Sequence, residues 1–150
     1  MTKAILTKDS IDLGIVVCDA DASLAFYRDT LGFTFEGEMP MPGGGTMYRV
    51  LAGTTLLKLV KANNDPAKAA GGGITGACGY RYFTLSVSNL EEITTACGTA
   101  GYKVVVPPRE IRPGISISIV EDPDGTWVEF LQSAYSDITA ARVGSDGIAP

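Results

Sequence analysis

The chain alternates between short apolar runs and glycine- or proline-marked breaks. Residues 11–17, IDLGIVV, are β-branched and apolar and predict a strand. Asp19 or Asp21 then offers an N-cap, and Ala22 to Leu31 puts Leu24, Tyr27 and Leu31 on one helical face before Gly32 stops it. Residues 33–38 resume as a strand, and MPMPGGG (39–45) reads as a loop. Residues 46–52 and 54–62 follow as two strands joined tightly at Gly53. Residues 63–79 are rich in Asn, Ala and Gly without periodicity, as in a linker or a flap between modules. The pattern then returns. A strand is expected over 80–88, and a helix capped by Asn89 runs to about Ala100, stopped by Gly101. A strand over 102–107 leads to a loop marked by Pro107, Pro108 and Pro113. Residues 114–120 alternate strictly, DPDG (122–125) turns the chain, and 126–132 form the last strand.

Both halves therefore read βαβββ, an internal repeat. Val17 aligns with Val87 and Asp19 with Asn89 at an offset of 70; Leu31-Gly32-Phe33 aligns with Ala100-Gly101-Tyr102 at an offset of 69. The second helix is thus one residue shorter. The expected fold class is α+β, with two tandem βαβββ modules forming curved mixed sheets around a cavity. The expected layout is an N-terminal extension (1–9), a first module (10–62), a linker (63–79), a second module (80–132) and a tail (133–150). The tail is either a peripheral helix or loose chain, and no chemistry is assigned to it.

Strand pleating divides each strand between two faces. Leu13, Ile15 and Val17 share one face and Asp12, Gly14 and Val16 the other; Phe83, Leu85 and Val87 oppose Tyr82, Thr84 and Ser86. The large apolar sets pack on the helices. The same parity separates Leu57 and Leu59 from Leu56, Lys58 and Val60, and Val128 and Phe130 from Trp127, Glu129 and Leu131. Asp12, Lys58, Tyr82 and Glu129 all fall on the cavity register, provided no bulge shifts a strand.

Composition narrows the chemistry. The 150 residues are 45% hydrophobic and 19% charged, enough apolar material for a core. Lys and Arg number 12 against 17 Asp and Glu, a net charge of −5. Such an acidic chain disfavours nucleic acid and anionic membrane surfaces as partners. No apolar run approaches the roughly 20 residues of a membrane helix. The opening MTKAILTKDS lacks the apolar region of a secretory signal. The three cysteines, Cys18, Cys78 and Cys97, show no CxxC spacing, so a cytoplasmic location is expected. They read as small buried hydrophobes, and Cys18 has no obvious base beside it. There is no histidine. That removes His-based acid–base catalysis, the histidine triads and any metal site that needs imidazole. Gly43 to Gly45 lack the P-loop pattern, and Gly71 to Gly73 read as linker.

The segments IDLGIVVCDADASLAFYRDTLGF and EDPDGTWVEFLQ resemble the opening and closing motifs of the vicinal oxygen chelate superfamily. This group holds glyoxalase I, bleomycin-resistance proteins, extradiol dioxygenases and methylmalonyl-CoA epimerase. The resemblance spans residues 10–132 and is specific for the superfamily, not for one activity. In its metal-dependent members, ligands come from positions that fall here on Asp12, Lys58, Tyr82 and Glu129. Only Glu129 keeps the usual residue type. A lysine ammonium beside these carboxylates opposes a divalent cation. The resemblance is therefore closer to the drug-binding members, which lack metal and commonly form dimers.

Two functions follow as expectations. The first is a metal-free protein, with no cofactor, that sequesters a hydrophobic or aromatic small molecule in the sheet cavity. Val16, Tyr82, Trp127 and Leu131 would line it, with Asp12, Lys58 and Glu129 as polar contacts, the carboxylates suiting a cationic ligand. The partner set is a small-molecule ligand and a second copy in a homodimer, with no nucleic acid and no membrane. The second is a lyase- or isomerase-type enzyme with Asp12 or Glu129 as base. Lys58 or Tyr82 would stabilise an enolate-like charge, and any divalent metal would sit on Asp12 and Glu129. Extradiol dioxygenase activity is the least expected option, because it needs two histidines and a carboxylate on iron. Against both stands a structural alternative: an ion-pair cluster from Asp12, Lys58 and Glu129, Tyr82 as wall, and Trp127 as core. Arg49 and Arg112 read as solvated loop or edge positions.

Overall fold

The computed structural model describes residues 1–135. They fall into two compact units, Met1–Lys68 and a second that begins at Ala69. The first contains β1 (Asp12–Val16), α1 (Ala20–Leu24) continued by a π-helical turn (Ala25–Thr30), β2 (Thr34–Pro40), β3 (Thr46–Ala52) and β4 (Thr55–Lys61). The second contains a 3-10 turn (Gly73–Thr75), β5 (Tyr82–Ser86), α2 (Leu90–Thr99), β6 (Val104–Arg112), β7 (Ile115–Glu121) and β8 (Trp127–Ser133). Strand order is β1-β4-β3-β2 in one sheet and β5-β8-β7-β6 in the other. The first and last strands of each unit pair in parallel, and the other pairs are antiparallel. Each unit is thus a βαβββ module with an open mixed sheet, as the repeat predicts. The tail expected at 133–150 lies outside the described residues from position 136 on. No helix among the described residues is long and apolar enough to cross a membrane.

The extra residue of the first helix is taken up as the π turn. Alignment of the halves needs an offset of 70 at Ala20 and Leu90 but 69 at Thr30 and Thr99, so one residue is surplus. Leu31 N–H donates to Phe26 O at 2.9 Å, five residues back. Such i→i+5 turns are rare and occur mostly as single insertions in helices. Phe26 and Tyr27, adjacent in sequence, are both fully buried, with rings edge-to-face at 4.7 Å. The first core gathers these rings with Val17, Leu24, Val50, Leu57 and Leu59.

Other departures have local causes. β6 runs through Pro107 and Pro108, where a loop is expected, because it is an edge strand with register shifts, where a missing N–H is tolerated. Asp19 caps α1, its carboxylate accepting from Ala22 N–H at 3.0 Å. Asn89 holds the N-cap position of α2, but its amide donates to Glu92 at 3.2 Å. Leu90 N–H is capped instead by Gln132 Oε1 of β8 at 2.8 Å. In β7 the serines face the helix: Ser118 meets Thr94 of α2, hydroxyl to hydroxyl, at 2.6 Å. The DPDG turn closes on Asp122, which accepts from Asp124 and Thr126 N–H at 2.9 Å each.

Candidate functional site

In the first unit, β1 alternates between exposed Asp12, Gly14 and Val16 and half-buried Leu13 and Ile15, so the first set lies on the sheet face away from α1. Parallel pairing puts Gly14 opposite Lys58 of β4 and Val16 opposite Val60. Gly14 has no side chain, and Lys58 leans past it to Asp12 Oδ2 at 3.4 Å. The other oxygen of Asp12 accepts from Lys8. That hydrogen bond, helped by Lys58, holds the Asp12 carboxyl below its ordinary pKa.

Next to Lys58 lies a residue the sequence reading leaves on a solvated edge. Arg49 of β3 is the direct antiparallel partner of Lys58. Directly opposed residues share a face, so two cations stand side by side. Glu36, the extra residue at the β2 bulge, accepts from Arg49 Nε and Nη2 at 3.3 and 3.2 Å, both through Oε2. Apolar pairs flank the cations, Met47 with Val60 on one side and Leu51 with Leu56 on the other. The tight turn at Gly53 carries the signal for Arg49. With Gly53 at φ +60°, Ala52 pairs with Thr55, and counting back from that two-residue loop brings Arg49 to Lys58. Arg112 ends the edge strand β6 and is exposed.

In the second unit, Tyr82, Thr84 and Ser86 of β5 face Trp127, Glu129 and Leu131 of β8, pair by pair, on the sheet face away from α2. The Thr84 hydroxyl donates to Glu129 Oε1 at 2.8 Å. Ile119 and Ile117 of β7 stand beside Glu129 and Leu131, so apolar side chains flank the Glu129 carboxylate on this strand pair. The Trp127 indole donates to Glu121 at 3.3 Å. Its ring packs on Gly73, where an added Cβ would lie 2.1 Å from the ring. Arg81 holds that segment down. Its Nε donates to Gly73 O at 2.6 Å, and its Nη2 to Ala70 O at 2.6 Å and Gly71 O at 3.2 Å. Residues 70–76 are therefore a strap over Trp127, a role that composition alone does not reveal.

The first unit thus brings Asp12, Val16 and Lys58 onto one face and adds Arg49 and Glu36; the second brings Tyr82, Trp127, Glu129 and Leu131 onto one face and adds Thr84. A divalent metal does not fit the donors. Asp12 is already shared by two ammonium groups. Among the described residues no group of three or more His, Cys, Asp or Glu is gathered closely enough to hold an ion.

Residues 10–130 match the family model of the Glyoxalase/Bleomycin resistance protein/Dioxygenase superfamily. The fold is similar to that of a glyoxalase family protein from Bacillus cereus, with a TM-score of 0.73 and 16% identity over 89% of this chain and 98% of that one. It is similar to a glyoxalase family protein from Enterococcus faecalis, with a TM-score of 0.62 and 22% identity over 85% and 96% of the two chains. The trypanothione-dependent glyoxalase I of Leishmania major aligns with a TM-score of 0.65 and 21% identity over 92% and 96%. No curated protein matches the chain in sequence.

Proposed function

Because the chain belongs to the glyoxalase/bleomycin resistance protein/dioxygenase superfamily, we propose that it is a metal-free binding protein that sequesters a hydrophobic or aromatic small molecule on the helix-free faces of its sheets. One observation carries this reading. At Asp12, where metal-dependent members place a ligand, the carboxylate is neutralised by Lys8 and Lys58 rather than left for a cation. The same pairing weakens Asp12 as a general base, since its pKa is pushed down, away from neutrality. Each unit offers its own helix-free face to an amphiphilic guest: Val16 and Lys58 in the first, and Tyr82, Trp127 and Leu131 around Glu129 in the second.

The test uses the full chain. Elemental analysis after purification is expected to find no stoichiometric divalent metal. A neutral aromatic probe, 2-naphthylmethanol, is expected to quench Trp127, the single tryptophan, with an affinity that a chelator does not change. Glu129→Ala is expected to weaken the probe. Stoichiometric metal whose removal abolishes binding would overturn the proposal, as would a probe that never binds.

A further inference from the structure

We infer that the bound molecule carries an anionic head group, of the carboxylate type, that lies between Lys58 and Arg49 on the helix-free face of the first sheet. The inference rests on the binding function proposed above and adds the charge of the ligand.

Three observations support it. First, Arg49 and Lys58 are direct cross-strand partners. Like charges so placed repel each other, and an anion between them turns that repulsion into attraction. Second, the local charges do not balance. Among the described residues, the ion pairs of Lys8, Lys58 and Arg49 are made with Asp12 and Glu36. Asp12 is shared, with Lys8 at one oxygen and Lys58 at 3.4 Å from the other, so Lys58 is the under-served cation. Arg49 spends Nε and Nη2 on one oxygen of Glu36. Third, both acids approach from outside the pair, Asp12 from β1 and Glu36 from β2. Lys58 and Arg49 remain 33% and 35% exposed, open to an incoming group. The flanking Met47, Val60, Leu51 and Leu56 supply apolar walls for the rest of such a molecule. In the second unit the positions beside Glu129 are Thr84 and Ile119, neither of them a cation. An anionic head group replaces the cationic ligand that the carboxylates suggest from sequence.

The experiment compares three probes that share a ring and differ in head group: 2-naphthoate, 2-naphthylmethanol and 2-naphthylmethylammonium. Each is titrated calorimetrically into the full chain. The expected result is that naphthoate binds about tenfold or more tightly than the alcohol and that added salt shrinks this preference. Lys58→Met and Arg49→Met are each expected to reduce the naphthoate-to-alcohol ratio, with thermal unfolding confirming that the variants are folded. The comparison in the unmodified protein stands even where a variant does not fold. Equal binding of naphthoate and alcohol, or tightest binding of the ammonium, overturns the anion inference and leaves the binding function intact. Failure of all three probes removes both.

Discussion

Lys58 and Glu129 occupy the same place in the two sheets: each lies on the last strand of its unit, opposite the third residue of the first strand, Gly14 in one case and Thr84 in the other. The repeat keeps the position and reverses the charge. The facing residue changes with it. Glycine leaves Lys58 room to reach Asp12, whereas threonine supplies a hydroxyl to Glu129. Two copies of one architecture thus place a cation at this position in one sheet and a carboxylate in the other.

The Asp12 ion pairs have a pH signature. The folded carboxyl titrates below its ordinary value of 3.8, so its contribution to stability is present above that pH and is lost as the pH falls through the lower folded value. Carboxyl NMR titration is expected to place Asp12 below 3.8, and Lys8→Met is expected to raise it more than Lys58→Met, because the Lys8 hydrogen bond is the largest cause. An Asp12 that titrates at or above the ordinary value refutes this.

Buried hydroxyls in the two units predict opposite signs. Ser23 is fully buried and its Oγ has no hydrogen-bond partner. Ser23→Ala removes an orphaned polar group from a helix and is expected to stabilise by about 1 kcal/mol in urea unfolding. Thr94 and Ser118 satisfy each other at 2.6 Å. Thr94→Val leaves Ser118 without its partner and is expected to cost about 1–3 kcal/mol, whereas Ser118→Ala is expected to cost less because Thr94 still donates to Leu90 O at 2.6 Å, and the double variant is expected to cost less than the sum. A destabilising Ser23→Ala, or strict additivity of the pair, contradicts the assignment.

Gly73→Ala tests the strap. The residue has φ +53°, and its Cβ would meet the Trp127 ring at 2.1 Å. The strap must lift, so Trp127 emission is expected to shift to the red, with a loss of roughly 1–3 kcal/mol of stability. Arg81→Met, which removes the contacts to Ala70, Gly71 and Gly73, is expected to shift emission in the same direction. Unchanged spectra in both variants mean that the strap does not cover the ring.

Thiol reactivity separates the cysteines. Burial pushes the Cys97 thiol up to about 11, while Cys78 is exposed. Iodoacetamide at pH 8 is expected to label Cys78 quickly and Cys97 only on unfolding, because the thiolate is the reactive form. Mass spectrometry showing early labelling at Cys97 counts against a closed second core.

The two βαβββ modules, the offset of 70 that becomes 69, and the face shared by Asp12, Val16 and Lys58 are all legible along the chain. Pleat parity and short-range stop signals are local properties, and they survive folding unchanged. The same is true of Tyr82, Glu129 and Leu131. Folding settled whatever depends on partners distant in sequence. Arg49 read as a solvated edge residue until the Gly53 hairpin put it against Lys58. Asn89 read as the cap of α2, but Gln132, 42 residues away, holds Leu90 N–H. Trp127 read as either core or open platform until Arg81 drew Gly73 over it. Period and composition report which way a side chain faces; which group it meets there depends on register and on long-range hydrogen bonds, and those arise only when the strands pair.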